Sequence, residues 1–116
     1  MSAVAKVAVP RAEAIARLND ALRKQGVGGT MMVTQGVLAI TGYNMPELTE
    51  ALAAYDAFDA DNDPHGERDF GDLTLWGKEL LWKLDYYDQD LRYGSDDPGD
   101  PAKTKRVLTV MLTSEW

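Results

Sequence analysis

The sequence predicts a single α+β domain over residues 1–116, with an antiparallel sheet of about five strands and two helices packed on one side. Two observations support this fold class. Apolar residues recur at spacings of three and four in two segments, which is the helical period, whereas five other short runs are β-rich. A chain of 116 residues also has the length of one domain with one hydrophobic core. Helices set against one side of an antiparallel sheet define the α+β class.

The two predicted helices cover residues 11–24 and 46–58. In the first, the apolar residues share one face, Arg23 falls on the polar face, and a run of glycines ends the helix. The second begins after Asn44, whose side chain is a candidate N-cap. Residues 1–10 show no period, and we expect them to form a flexible arm.

Five short runs are the predicted strands. The first two are separated by Gln35-Gly36, and this spacing is typical of a hairpin. In the fourth, apolar residues alternate around Trp82, so we expect Trp82 to face the core. The last is apolar on both faces, which is typical of a strand in the centre of a sheet. The five runs are residues 30–34, 37–41, 70–76, 79–87 and 107–113.

The acidic residues are unevenly distributed along the chain. Residues 55–100 carry fourteen acidic and four basic residues, a charge of −10, whereas the whole chain carries −7. Direct binding to nucleic acid is disfavoured, because phosphate contacts require clustered Lys and Arg. The negative field favours a partner that is a basic protein or a nucleoprotein complex.

Several other classes of protein are disfavoured by composition and motif. The chain has no cysteine, which excludes disulfides and thiolate metal sites and agrees with a reducing compartment. No apolar run approaches the roughly 20 residues that a membrane helix needs. No P-loop, dinucleotide-binding glycine pattern or nucleophile elbow occurs. We therefore expect a cytoplasmic protein without a cofactor and without membrane association, and the sequence leaves its oligomeric state open.

The stretch from Tyr55 to Asp72 supports two interpretations. Counted from Asp61, its acidic residues resemble the ligand spacing of a calcium-binding loop. The alternative function is therefore a small enzyme or metal-binding protein that uses residues 61–72. However, the only histidine of the chain, His65, is a poor calcium ligand. The other interpretation is a loop stabilised by Asp and Asn side chains. Its loop-structuring residues would be His65, Gly66 and Glu67.

The acidic surface itself is the third candidate. Spaced carboxylates imitate the phosphates of a nucleic acid and fit a basic groove, with electrostatic steering of the encounter. An ordinary solvated acidic surface explains the same residues equally well. We assign no catalytic residue and no metal ligand. The candidate partner-binding residues are Asp59, Asp61, Asp63, Asp69, Asp72, Asp88, Asp90, Asp96 and Asp97.

Three segments carry a resemblance to a known family: DNDPHGERDFG (61–71), WKLDYYDQDLRYGSDDPGDP (82–101) and RVLTVMLTSEW (106–116). Together they resemble an uncharacterised family of small proteins, labelled a domain of unknown function and common in alphaproteobacteria and their plasmids and phages. The resemblance brings no established chemistry, but mobile elements imply a role against host defence, as in anti-CRISPR proteins. The expected function is a small acidic, non-enzymatic inhibitor. It would bind a basic nucleic-acid-handling partner, such as a CRISPR surveillance complex, and block its DNA access.

Overall fold

The computed structural model describes residues 10–116. The predicted arm, residues 1–10, lies outside the described residues except for Pro10. The first helix and the last strand begin and end within two residues of the predicted bounds. The elements in chain order are α1 (Arg11–Gln25), β1 (Thr30–Val33), α2 (Gln35–Leu38), α3 (Met45–Ala54), β2 (Phe70–Leu75), β3 (Lys78–Tyr87), β4 (Lys105–Leu112) and a 3₁₀ turn (Thr113–Glu115).

The four strands form one mixed sheet in the order β1-β4-β3-β2. β3 pairs antiparallel with both β2 and β4, whereas β1 pairs parallel with β4. The α+β class is therefore confirmed, but the prediction of five antiparallel strands is wrong in number and direction. The central place of the last strand, β4, is confirmed. Among residues 10–116, three helices and the 3₁₀ turn are found where two helices were predicted.

The fifth predicted strand, which the structure lacks among residues 10–116, was the second strand of the predicted hairpin. Its second run forms the single turn α2 instead, and the Thr34 side chain accepts a hydrogen bond from the backbone N–H of Val37 as its N-cap. Val37 is fully buried in the core. β1 finds its partner far along the chain, with Thr30 beside Val107. A run of four or five residues is too short for periodicity to distinguish a strand from a buried helical turn.

The hydrophobic core lies between the helices and one face of the sheet. Leu80, Trp82 and Leu84 of β3 point into it, and the exposed fraction of Trp82 is 0%, which confirms its predicted burial. The Tyr55 ring packs edge-on against Trp82 with centroids 5.4 Å apart. Gly71 of β2 lies against both rings, since an added Cβ would lie 2.6 Å from Trp82 Nε1 and 2.6 Å from the Tyr55 ring. The remaining core residues are Leu22, Val37, Leu48, Leu52, Leu108 and Val110.

The helix α3 begins as predicted and ends earlier. Asn44 Oδ1 accepts a hydrogen bond from the Glu47 N–H at 3.0 Å, which confirms the predicted N-cap. The helix ends at Ala54 because the next residue turns into an extended conformation. Buried Arg23 donates from Nη1 to the carbonyls of Leu52 and Tyr55 at 2.7 and 2.8 Å, and so satisfies two carbonyls at the end of the helix.

Candidate functional site

Two loops carry most of the acidic residues. We call residues 55–69 the first acidic loop and residues 88–104 the second acidic loop. The first loop leads from α3 into β2, and the second connects β3 to β4. Both loops meet the sheet at the same end, because the Leu84 N–H donates to the Asp69 carbonyl at 2.8 Å and Tyr87 pairs with Lys105.

The helix α1 holds the first acidic loop from one side. Arg68 donates from Nε to both carboxylate oxygens of Asp20, at 3.1 and 3.0 Å, and its terminal nitrogens lie 3.3 and 3.4 Å from the Glu13 carboxylate. Partial burial alone would raise the pKa of Asp20, but the hydrogen bonds from Arg68 and Arg23 outweigh it and lower that pKa. Arg68 itself has a positive φ of 52°, an uncommon conformation for a side chain of its size.

A buried polar network joins this loop to the sheet. Asn19 Nδ2 donates to the Glu67 carbonyl at 3.0 Å and to the Tyr86 hydroxyl at 2.8 Å. The Tyr86 hydroxyl in turn donates to Glu67 Oε1 at 3.0 Å. Burial raises the pKa of Tyr86 well above its ordinary value, so this hydroxyl keeps its proton and remains a donor. Glu67 is thus tied to the helix by its backbone and to the sheet by its side chain.

The same network reaches the second acidic loop through Arg106 of β4. Arg106 is 2% exposed, its Nε donates to Asn19 Oδ1 at 2.6 Å, and its Nη2 donates to the Pro98 carbonyl. Its guanidinium also lies over the Tyr86 ring, 5.1 Å from the centroid. Burial lowers the pKa of Arg106, but a guanidinium is so weak an acid that the side chain remains a cation. Asn19 and Arg106 therefore fasten both loops to one point.

Hydrogen bonds within the second acidic loop give it a defined shape. Thr104 Oγ1 donates to the Asp97 carbonyl at 2.8 Å and lies 2.7 Å from Ser95 Oγ. Gln89 Nε2 reaches across the loop to the Ala102 carbonyl at 2.7 Å. These bonds and the Arg106 contact hold the loop against the end of the sheet.

The candidate partner-binding residues fall into two groups in the structure. In the first group the carboxylate shapes its own loop: Asp59 accepts from the N–H groups of Asp61 and Asn62, Asp63 from Arg68, and Asp88 from Arg92. In the second group the side chains accept no hydrogen bond within residues 10–116. Its exposed members are Asp61, Asp72, Asp90 and Asp96, and its partly buried member is Asp97.

Asp69 stands apart from both groups. It is partly buried, and that burial, followed by the charge of Glu67, raises the pKa of its carboxyl group. A carboxylate in this position is less available to a partner than the exposed ones. Of the loop-structuring residues, His65 is exposed, and Gly66 adopts a φ of 69° while its N–H donates to the Asp63 carbonyl at 3.1 Å.

The alternative based on metal binding finds no assembled ligand set in the described part of the chain. No three acidic or histidine side chains between residues 10 and 116 come together in an arrangement that would hold a metal ion. The acidic residues from Asp61 to Asp72 do not lie in one loop. They are divided between a turn and an edge strand, because β2 begins at Phe70.

The family of the chain is established by comparison with family models. The model described as "Protein of unknown function (DUF3768)" matches residues 33–115. The chain belongs to the DUF3768 family. The match spans both acidic loops and three of the four strands, while α1, with Asn19 and Asp20, precedes it. Comparisons with curated proteins and with solved structures give no significant match. Within residues 10–116, no helix has the length and apolarity needed to cross a membrane.

The sequence interpretation missed the residues that hold the DUF3768 loops in place. Asn19, Arg68, Tyr86 and Arg106 were not among the candidate residues, although they make the decisive contacts. One signal was present: Asn19 lies four residues after Ile15 and three before Leu22, so it interrupts the apolar face of α1. A polar side chain on that face has to find partners inside the protein.

Proposed function

We propose that this DUF3768 protein is a non-enzymatic binding protein whose acidic loops dock onto a basic, nucleic-acid-handling partner and inhibit it by blocking its DNA access. The observation that carries the proposal is the attachment of both acidic loops to Asn19 and Arg106. Carboxylates that are already held on a framework lose less conformational entropy on binding.

The distribution of exposed carboxylates supports the same proposal. Asp61 and Asp72 lie in and next to the first acidic loop, while Asp90 and Asp96 lie in the second. All four side chains are exposed and accept no hydrogen bond among residues 10–116, so they are available to Lys and Arg of a partner. Their separated charges would steer a basic protein and oppose an acidic one.

The more specific form of the proposal names the class of partner. The resemblance to small proteins of plasmids and phages favours a host defence complex, such as a CRISPR surveillance complex. Such a complex holds nucleic acid in a positively charged channel, which carboxylates would occupy in place of phosphates.

The experiment has two stages. The tagged chain is used to recover partners from an alphaproteobacterial lysate, and the partner identified by mass spectrometry is purified. Binding is then measured at several salt concentrations with wild type and with the double variant Asp61→Lys/Asp96→Lys. We expect affinity to fall steeply with salt, and to fall at least tenfold in the variant, because close charge pairs contribute at least about 1.5 kcal/mol.

A matched control variant separates the effect of position in the acidic loops from the effect of net charge. Glu50→Lys/Glu79→Lys changes the charge by the same amount at two exposed positions outside the acidic loops. We expect it to bind close to wild type. Equal weakening by both double variants, or affinity that does not depend on salt, would contradict the proposal. Recovery of a partner other than a defence complex would contradict only the specific form.

A further inference from the structure

The strand β1 forms one edge of the sheet. One side of β1 pairs with β4, and among residues 10–116 no strand pairs with its other side. Its sequence, TMMV, holds neither a charged residue nor a proline. Edge strands that must not pair usually carry such residues. The opposite edge strand, β2, carries the exposed charge of Asp72.

An apolar groove lies beside this edge. Its volume is about 680 Å³, and its lining includes Met32 of β1, Leu91 of the second acidic loop and Val107 of β4. Met32 and Leu91 are 54% and 59% exposed, which is high for large apolar side chains. No carboxylate lines the groove, although Lys105 does. In a chain of charge −7, this part of the surface combines exposed apolar side chains with the basic Lys105 and Arg106 and lacks acidic groups.

The charge pattern favours a second copy of the chain as the occupant. Two copies repel each other through their net charge, and a two-fold contact sets like surfaces together, so the acidic loops cannot form its centre. The uncharged β1 can. Antiparallel pairing of two β1 strands sets the Thr30 end of one copy, near Lys105, beside the Thr34 end of the other. At that end Glu115 accepts a hydrogen bond from Thr34 Oγ1 at 2.8 Å. The Lys105 side chain of one copy and the Glu115 carboxylate of the other, which carry opposite charges, therefore approach each other.

We infer that this protein forms a two-fold dimer in which the β1 strands of two copies pair antiparallel. The two four-stranded sheets then become one continuous sheet. A two-fold axis perpendicular to the sheet keeps Met32 of both copies on the same face, where each borders the groove. The dimer presents the acidic loops twice, which adds avidity toward a partner that offers two basic sites.

The test measures molar mass in solution for the full chain. Light scattering coupled to size exclusion is recorded over a roughly hundredfold range of protein concentration, because dimerisation follows mass action. We expect wild type to rise from 12.8 kDa toward twice that mass. Met32→Lys should remain at the monomer mass over this range, because it places a charge on each side of the two-fold contact. Met45→Lys is the matched control, since Met45 is also exposed, at 41%, but lies at the start of α3.

Each outcome decides the inference. Thermal melting of all variants shows whether they fold, and Thr30→Lys, at the exposed start of β1, replaces Met32→Lys if that variant unfolds. A monomeric wild type at every concentration overturns the inference, whether the edge is bare or covered by the chain's own first residues. Dimerisation of Met32→Lys as strong as that of wild type overturns the β1 interface. A dimer that Met45→Lys alone disrupts places the contact on α3 instead.

Discussion

Arg106 Nε donates a hydrogen bond to Asn19 Oδ1 at 2.6 Å, and this bond joins the start of β4 to the middle of α1 across 87 positions of sequence. Both residues are buried, at 2% and 0% exposure. Asn19 uses its amide group on Glu67 and Tyr86 at the same time. One side chain therefore satisfies a buried cation and fixes the first acidic loop.

Replacing Asn19 should destabilise the protein strongly. Asn19→Ala leaves the guanidinium of Arg106 with one partner fewer and the Tyr86 hydroxyl without its amide donor. We expect a loss of about 2–3 kcal/mol in the free energy of unfolding, the cost of removing a hydrogen bond to a buried charged group. Urea denaturation measures it, and Gln25→Ala, exposed at the end of the same helix, should change stability little. Equal effects at the two positions would argue against the network.

Trp82→Ala should remove the largest side chain of the core. Trp82 is fully buried beneath Tyr55 and Phe58, with ring centroids at 5.4 and 6.0 Å. Truncation leaves a cavity that the rigid sheet cannot close, so we expect a loss of about 3–5 kcal/mol. Denaturant melting followed by circular dichroism checks this. A loss below about 1 kcal/mol would show that Trp82 does not occupy the core.

Gly71→Ala should cost stability although it adds only one methyl group. The new Cβ would lie 2.6 Å from both Trp82 Nε1 and the Tyr55 ring, so the rings or the strand must move. Overpacking of this kind costs about 1–3 kcal/mol. Gly94→Ala is the matched control, because its Cβ would meet no atom closer than 3.8 Å. Thermal melting should separate the two variants, and similar melting temperatures would refute the close packing at Gly71.

Asp69 should make stability depend on pH. Burial, followed by the charge of Glu67, raises the pKa of Asp69 in the folded protein above the value of about 3.9 expected when unfolded. The folded state therefore binds the proton of Asp69 more tightly than the unfolded state does. The resulting contribution to the free energy of unfolding is present below the unfolded pKa and is lost as pH rises through the folded pKa.

The variant Asp69→Asn should remove this loss. We expect it to be more stable than wild type at neutral pH and nearly equal to it at pH values below the unfolded pKa of about 3.9. Urea titrations at several pH values measure the difference. Asp72→Asn, on the exposed edge strand next to it, is the control and should show little change. A stability advantage of Asp69→Asn that persists at low pH would mean that the carboxylate charge is not its cause.

The sequence by itself determined the local elements and the chemistry of the surface. Periodicity located α1, β2, β3 and β4 to within about two residues and the face of β3 that carries Trp82. The capping pattern at Asn44 located the N-cap of α3. Composition placed most of the acidic residues between positions 55 and 100. These properties depend on neighbours along the chain, so they can be predicted from the order of the residues.

Only the tertiary structure decided how these pieces combine. β1 pairs with β4 rather than with the run beside it, because burial of Val37 in the core favours a helical turn there. Arg23, expected on the polar face of α1, is buried because the end of α3 offers it two carbonyls. The contacts that shape the acidic surface join residues 48 and 87 positions apart. Such pairs depend on which surfaces come into contact once the core has formed. Local patterns along the chain therefore do not predict them.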